Sequence, residues 1–207
     1  MKMNQARIRA AHLGPDRRRP QVLDTALLIA VDQGLAAVTM ESVAKSLEVT
    51  RPVVYSCYAS REEMIGALLE REEQRLYQGV IGALPEAPRI GAGQQMLTAG
   101  FQALLGGVAA HAMSWRFLLA ADSDHGVVER YGRARARVAE QVRALMEPML
   151  KGVGVEQLER KLPVLIEVFM ALGDAAVRAM LQSEQHWSPD ELGAYVARIT
   201  LAAFSKA

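Results

Sequence analysis

Apolar residues recur along this chain at three- and four-residue intervals, and no segment shows the two-residue period of a strand. The first helix is expected from about Pro20 to Gln33, with Leu23, Leu27, Ala30 and Val31 as its buried stripe and Gly34 as its stop. Thr39 opens a second helix whose Val43, Ala44 and Leu47 form one apolar face. Thr50 is placed to cap a third, short helix. Its Val53 and Val54 turn back toward the second, and Pro52 falls in the opening turn, where its missing N–H is no loss. Ser60 and Glu63 have capping-box spacing, so a fourth helix starts at Arg61 and runs through Met64, Ile65, Leu68 and Leu69 to about Gly82. After a turn region from Pro85 to Gly93, further helices are expected at about 93–110, 114–121, 125–150 and 158–182, the third of these capped by Ser123 or Asp124. Ser188-Pro189-Asp190-Glu191 starts the last one. The fold class is therefore all-α.

Two parts of this pattern bear on function. The segment from Thr39 to Arg61 reads as helix, turn and second short helix, the geometry that places a helix in the DNA major groove, with Arg51, Tyr55 and Ser56 facing outward. The helices at 158–182 and after Pro189 are apolar over too much of their circumference to be buried on one side alone. Phe169, Val177, Ile199 and Ala203 are the expected contacts of a two-fold, four-helix homodimer interface.

Tyr55, Tyr58 and Arg61 follow a tyrosine–x–x–aromatic–x–x–basic spacing, preceded by Val43-Ala44 and Val49-Thr50. Over roughly Pro20 to Leu69 the chain thereby resembles the DNA-binding domain of tetracycline-repressor-type (TetR) regulators. The resemblance implies a homodimeric transcriptional regulator, most often a repressor, dimerised through its last two helices and released from a palindromic operator by a small-molecule effector. It also implies backbone contacts to DNA from Tyr55 and Arg61. This chain departs from the pattern in having Tyr58 and Arg61 for the usual Phe and Lys, and Glu48 where the turn usually has Gly. A left-handed Glu there costs on the order of 1 kcal/mol.

Charge sharpens the picture. Residues 1–61 carry nine Lys/Arg against five Asp/Glu, while the remainder carries 15 against 18, so a head of +4 precedes a body of −3 although the whole chain is only +1. Arg17, Arg18 and Arg19 sit in an N-terminal stretch, 1–19, that reads as a mobile basic arm able to reach DNA or remain solvated. The single cysteine, Cys57, excludes an internal disulfide and a multi-cysteine metal site. No apolar run of membrane-spanning length and no export signal is visible, so the expected location is cytoplasmic.

Chemistry for catalysis is not found. His12, His111, His125 and His186 are scattered, and His125 beside Asp122 and Asp124 reads as a polar turn. Asp174 and Arg178 have the spacing of an ordinary i, i+4 pair, and Glu167 stands two turns from Asp174, too far to act with it unaided. No enzyme activity, cofactor or metal is expected. Met96, Phe101, Met113, Trp115, Phe117, Tyr131, Met149 and Met170 lie on helices expected to surround the body's interior, where they suit an adaptable ligand cavity or an ordinary core; His111, Arg116 and Tyr131 are the candidate orienting polar groups of a cavity. Arg130, Arg133 and Arg137 share a face and read as solvated charge.

These readings divide the chain into an arm (1–19), a three-helix helix-turn-helix DNA-binding domain (20–63) and an effector-binding and dimerisation domain (64–207). The DNA-contacting candidates are Arg18, Arg19, Thr39, Thr50, Arg51, Pro52, Tyr55, Ser56, Tyr58 and Arg61. The expected partners are double-stranded operator DNA, a small largely apolar effector and a second copy of the chain. The alternative is a small-molecule-binding or scaffold protein whose helix-turn-helix no longer binds specific DNA.

Overall fold

The computed structural model describes residues 14–85, 93–120, 125–152, 154–182 and 187–204. Among them the chain is helical without strands: α1 (Pro15–Gln33), a 3-10 turn (Leu35–Ala37), α2 (Met40–Ser46), α3 (Arg51–Tyr55), α4 (Arg61–Ala83), α5 (Gly93–Ala110), α6 (Ala112–Ala120), α7 (His125–Gly152), α8 (Leu158–Gln182) and α9 (Pro189–Phe204). Two compact units, Met1–Leu68 and Leu69–Ala207, divide it, and α4 runs through the boundary.

In the first unit α1 begins at Pro15, five residues before the expected start, so Arg17, Arg18 and Arg19 belong to a helix and not to an arm. Gly14-Pro15-Asp16 is a helix start: Pro suits the first turn, and an acid there faces the positive end of the helix dipole. The rest of the expected arm, residues 1–13, lies outside the described residues. Val22, Leu23, Ala26 and Leu27 form the buried face of α1, and Gly34 ends the helix at φ 86°. Thr39 and Ser42 close a reciprocal capping box on α2, each hydroxyl accepting the other's backbone N–H at 3.0 and 2.9 Å. Two further bonds terminate the helix, from Glu48 N to the Lys45 carbonyl (3.2 Å) and from Val49 N to the Ala44 carbonyl (3.0 Å). That is the Schellman closure, and it requires its C′ residue, Glu48, in the left-handed region, at φ 54°.

In the second unit α8 lies between two clusters. One joins its Ala176 and Val177 to Phe101, Leu105 and Val108 of α5 and to Leu192, Val196 and Ala197 of α9. The other joins its Leu162, Ile166 and Met170 to Val138 and Val142 of α7. Helices α5 and α9 approach so closely that a Cβ at Gly193 would stand 2.7 Å from the Gln102 backbone nitrogen. Ser188 and Glu191 cap α9 reciprocally, as their spacing predicts. The expected orientation of α8 needs correction. Val177 is 5% exposed and belongs to the intramolecular core, and the Phe169 ring packs 5.7 Å from that of Phe101. The residues turned outward are Val164 and Val168 on α8 and Tyr195 and Ile199 on α9. Asp122, Ser123 and Asp124, with the turn expected beside His125, lie outside the described residues, as do His12 and His186.

Candidate nucleic-acid interface and body cavity

The short helix α3 and the residues after it divide cleanly by helical period. Val53, Val54, Cys57 and Tyr58 face inward, the last three buried, while Arg51, Pro52, Tyr55 and Ser56 are exposed on the opposite side. Tyr58 is therefore an anchor of the head's core and not an exposed contact. Thr50 stands at the exposed N-cap but makes no side-chain cap bond, contrary to expectation, while Thr39 has its hydroxyl engaged with Ser42. Ser56 donates to the Val53 carbonyl at 2.7 Å.

The arginines have partners within the chain. Arg51 projects from the start of α3 and forms an ion pair with Glu41 of α2, both side chains being more than half exposed. The hydrogen bond and charge of Arg51 hold the Glu41 carboxylate below its usual range, and Glu41 raises Arg51 in turn. Arg61 turns back into the head: its Nε donates to the Val38 carbonyl at 2.6 Å and its Nη2 to the Leu35 carbonyl at 3.0 Å. Arg19 likewise donates from Nε to the Cys57 carbonyl (3.1 Å) and lies 5.8 Å from the Tyr58 ring centre, while Arg18 is buried and donates to Gln21 at 3.3 Å. Arg19 and Arg61 thus brace the ends of the helix-turn-helix against its own backbone. The sequence contains no local signal of this, because their partners are carbonyls 38 and 23 residues away.

The second unit encloses an apolar cavity of about 330 Å³, within the range of small-molecule sites. Met96, Phe101, Trp115, Tyr131 and Met170 lie on its wall. His111, Arg116 and Phe117 do not. On α6 the wall residues are Trp115 and Leu118, three apart; Ser114 and Phe117 are buried on another side, and Met113 and Arg116 face solvent. His111 is exposed at the break between α5 and α6. Unanticipated wall residues come from α4, where Leu69, Glu73, Leu76, Tyr77 and Val80 form a continuous lining.

Helix α7 supplies the polar part of the wall and ties it to both neighbours. Toward α4, Arg137 meets Glu73 at 2.9 Å and lies 4.3 Å over the Tyr77 ring, and Arg130 meets Glu73 at 3.6 Å. Toward α8, the Tyr131 hydroxyl donates to Asp174 Oδ1 (3.1 Å), and Arg135 spans Asp174 and Glu167, each at 3.2 Å. Asp174 is thus paired across helices and not with Arg178, and Arg135 supplies the link between two acids that stand too far apart to meet directly. Burial, then the charge of Asp174, pushes the Tyr131 hydroxyl up to about 12. No single helix among the described residues is long and apolar enough to cross a membrane.

Residues 22–68, the helix-turn-helix, match the family described as bacterial regulatory proteins, tetR family. The HTH-type transcriptional activator FasR of Mycolicibacterium smegmatis is 37% identical over 76 residues, 37% of this chain; the chain spans 35% of that relative's length. A TetR-like transcriptional regulator from Rhodococcus sp. RHA1 has a similar fold, with TM-score 0.72 at 20% identity over 92% of this chain and 97% of that one. The TetR family transcriptional regulator PfmR from Thermus thermophilus gives 0.66 at 14% over 87% and 97%. Residues 22–68 thus match the helix-turn-helix of the tetR family, and the chain shares the fold of TetR-like transcriptional regulators.

Proposed function

We propose that the chain acts as a homodimeric repressor, without enzyme activity, whose heads bind a palindromic operator and leave it when a small, largely apolar effector fills the cavity. The observation that carries this reading is α4. Its first turn, with Arg61, belongs to the DNA-binding head, and its later turns, from Leu69 to Val80, line the cavity wall. A ligand that displaces that wall acts on the same helix that begins in the head. It shifts the equilibrium only by its differential affinity for the two arrangements, typically about 1–3 kcal/mol or a 5–150-fold change in operator affinity.

On the DNA side, Thr50, Arg51, Pro52, Tyr55 and Ser56 form the reading face. Water screens the exposed Arg51–Glu41 pair, whereas a bidentate arginine–guanine contact contributes about 1–3 kcal/mol, so Arg51 exchanges Glu41 for a base edge on binding. Dimerisation is supported by the outward stripe of α8 and α9: Val164 is 62% exposed, Val168 39%, Tyr195 45% and Ile199 40%. The i, i+4 spacing within each helix makes the stripe continuous, and small alanines at 171 and 175 extend it.

Selection of bound DNA by the purified protein tests the reading. The expected motif is a palindrome with half-sites about one helical turn apart, ~34–36 Å, or a multiple. Val168→Glu should give a monomer by sedimentation and lose operator affinity while keeping its helix content, because that position is exposed in the single chain. Recovery of no motif, or a wild-type chain that sediments as a monomer at micromolar concentration, overturns the proposal.

A further inference from the structure

We propose that the cavity selects a neutral, mainly aliphatic molecule ending in a hydrogen-bond donor, of the class of a medium-chain alcohol, with that donor seated at Tyr131 and Asp174. The inference rests on the effector reading above and specifies its ligand.

The charges on the wall are already paired. The ionisable wall groups besides the tyrosines are Glu73, Arg130, Arg135 and Asp174, two acids and two bases. Each base already faces an acid: Arg130 with Glu73 at 3.6 Å, Arg135 with Asp174 at 3.2 Å and with Glu167 at 3.2 Å. An anionic ligand must draw Arg135 from two carboxylates and leave the half-buried Asp174 without its cation, which is strongly unfavourable. A cationic ligand competes with Arg135 for the same acid.

The hydrogen bonds at this end of the wall run in one direction. Tyr131 has one hydroxyl hydrogen and gives it to Asp174 Oδ1, at 3.1 Å. What remains on its oxygen is acceptor capacity, and the carboxylate beside it only accepts. A ligand hydroxyl can donate to this pair; a ketone or an ether cannot. Burial keeps Tyr131 protonated up to about 12, so this polarity holds throughout the physiological range. Size agrees: a cavity of about 330 Å³ is in the range of small-molecule sites and its long apolar wall suits an aliphatic chain.

Four probes of one chain length separate the possibilities: 1-decanol, 2-decanone, decanoate and decylamine, titrated into the full-length protein by calorimetry with Trp115 fluorescence as a second readout. The alcohol should bind roughly tenfold tighter than each of the others, the discrimination of one hydrogen bond made or lost. Asp174→Asn should invert the alcohol–ketone preference. An amide oxygen cannot satisfy both Tyr131 and Arg135 as the carboxylate does, so one of their donors is released toward the ligand. Arg135 keeps Glu167 in that variant, and its thermal melt verifies folding. Equal or tighter binding of decanone, decanoate or decylamine overturns the donor assignment and leaves the effector reading standing. So does an unchanged preference in a folded Asp174→Asn. Failure of all four to bind overturns both.

Discussion

Replacing Glu48 by glycine isolates a strain that the backbone records directly. Glu48 holds φ 54° because the Schellman closure of α2 needs a left-handed residue at that position. An L side chain there costs about 1–2 kcal/mol, and glycine removes that cost. Glycine also gives the unfolded chain more freedom, which opposes the gain by about 0.4–1 kcal/mol. The net expectation for Glu48→Gly is roughly 0.5–1 kcal/mol of added stability. In urea, with a slope of about 2–3 kcal/mol/M for a chain this size, the midpoint should rise by about 0.2–0.5 M with the slope unchanged. Glu48→Ala is the control: it removes the charge but keeps a Cβ in the left-handed region, so its midpoint should not rise. If alanine stabilises as much as glycine, the effect belongs to the charge and the strain argument fails. If glycine lowers the midpoint, the carboxylate makes a contact that outweighs the strain.

Three further outcomes follow from other contacts. Arg61→Ala should destabilise the head by about 1.5–3 kcal/mol, because the carbonyls of Val38 and Leu35 lose a charged donor; a denaturation midpoint equal to wild type would return Arg61 to a purely DNA-facing role. Gly193→Ala should lower the melting temperature by forcing α5 and α9 apart, at about 1–3 kcal/mol for overpacking against the Gln102 backbone, and an unchanged melt would mean the helices slide without loss. Tyr131 is raised in the folded state, so it favours folding below its unfolded value of 10.0 and that contribution is lost as pH climbs from there to about 12; absorbance titration should find a late-ionising tyrosine that Tyr131→Phe removes, and the same variant should abolish that part of the alkaline stability loss.

What was legible in the sequence was local. Gly34, the Ser60–Glu63 pair and the Ser188–Glu191 box fixed helix ends because a cap involves residues three or four apart. The start of α1 is ambiguous for a local reason too: Gly14-Pro15 breaks one helix and opens another with equal ease, and the burial of Arg18 shows which. Register on α6 was not legible. Its nine residues carry apolar side chains on most sides, so nothing in the period distinguishes Trp115 and Leu118 from Ser114 and Phe117. The polar wall was least legible of all. Tyr131 and Asp174 are 43 residues apart, Arg135 and Asp174 are 39, and Arg137 and Glu73 are 64, whereas the obvious neighbour of Asp174 in sequence, Arg178, is not the partner that holds it.

These long-range pairs place α7 between the two helices that matter for the proposed control. It is fastened in two different ways. Along its later turns, Val138 and Val142 pack with Leu162, Ile166 and Met170 of α8, and Tyr77, Val80 and Ile81 of α4 close over them. Apolar burial there amounts to about 1.5–3 kcal/mol per side chain and is not given up for a ligand. Along its earlier turns the ties are polar: the partly buried contacts of Tyr131 and Arg135 with Asp174 stay in place, while the pairs of Arg137 with Glu73 and Arg135 with Glu167 each have one half-exposed partner and amount to about 0–1 kcal/mol apiece. The cavity wall runs past both kinds of contact. A ligand at Tyr131 therefore meets the weakly held end of α7, where its binding energy is comparable to what it must displace. Reorganising those two pairs involves about 0–2 kcal/mol in all, which overlaps the range of about 1–3 kcal/mol typical of coupling between an effector site and a distant binding site.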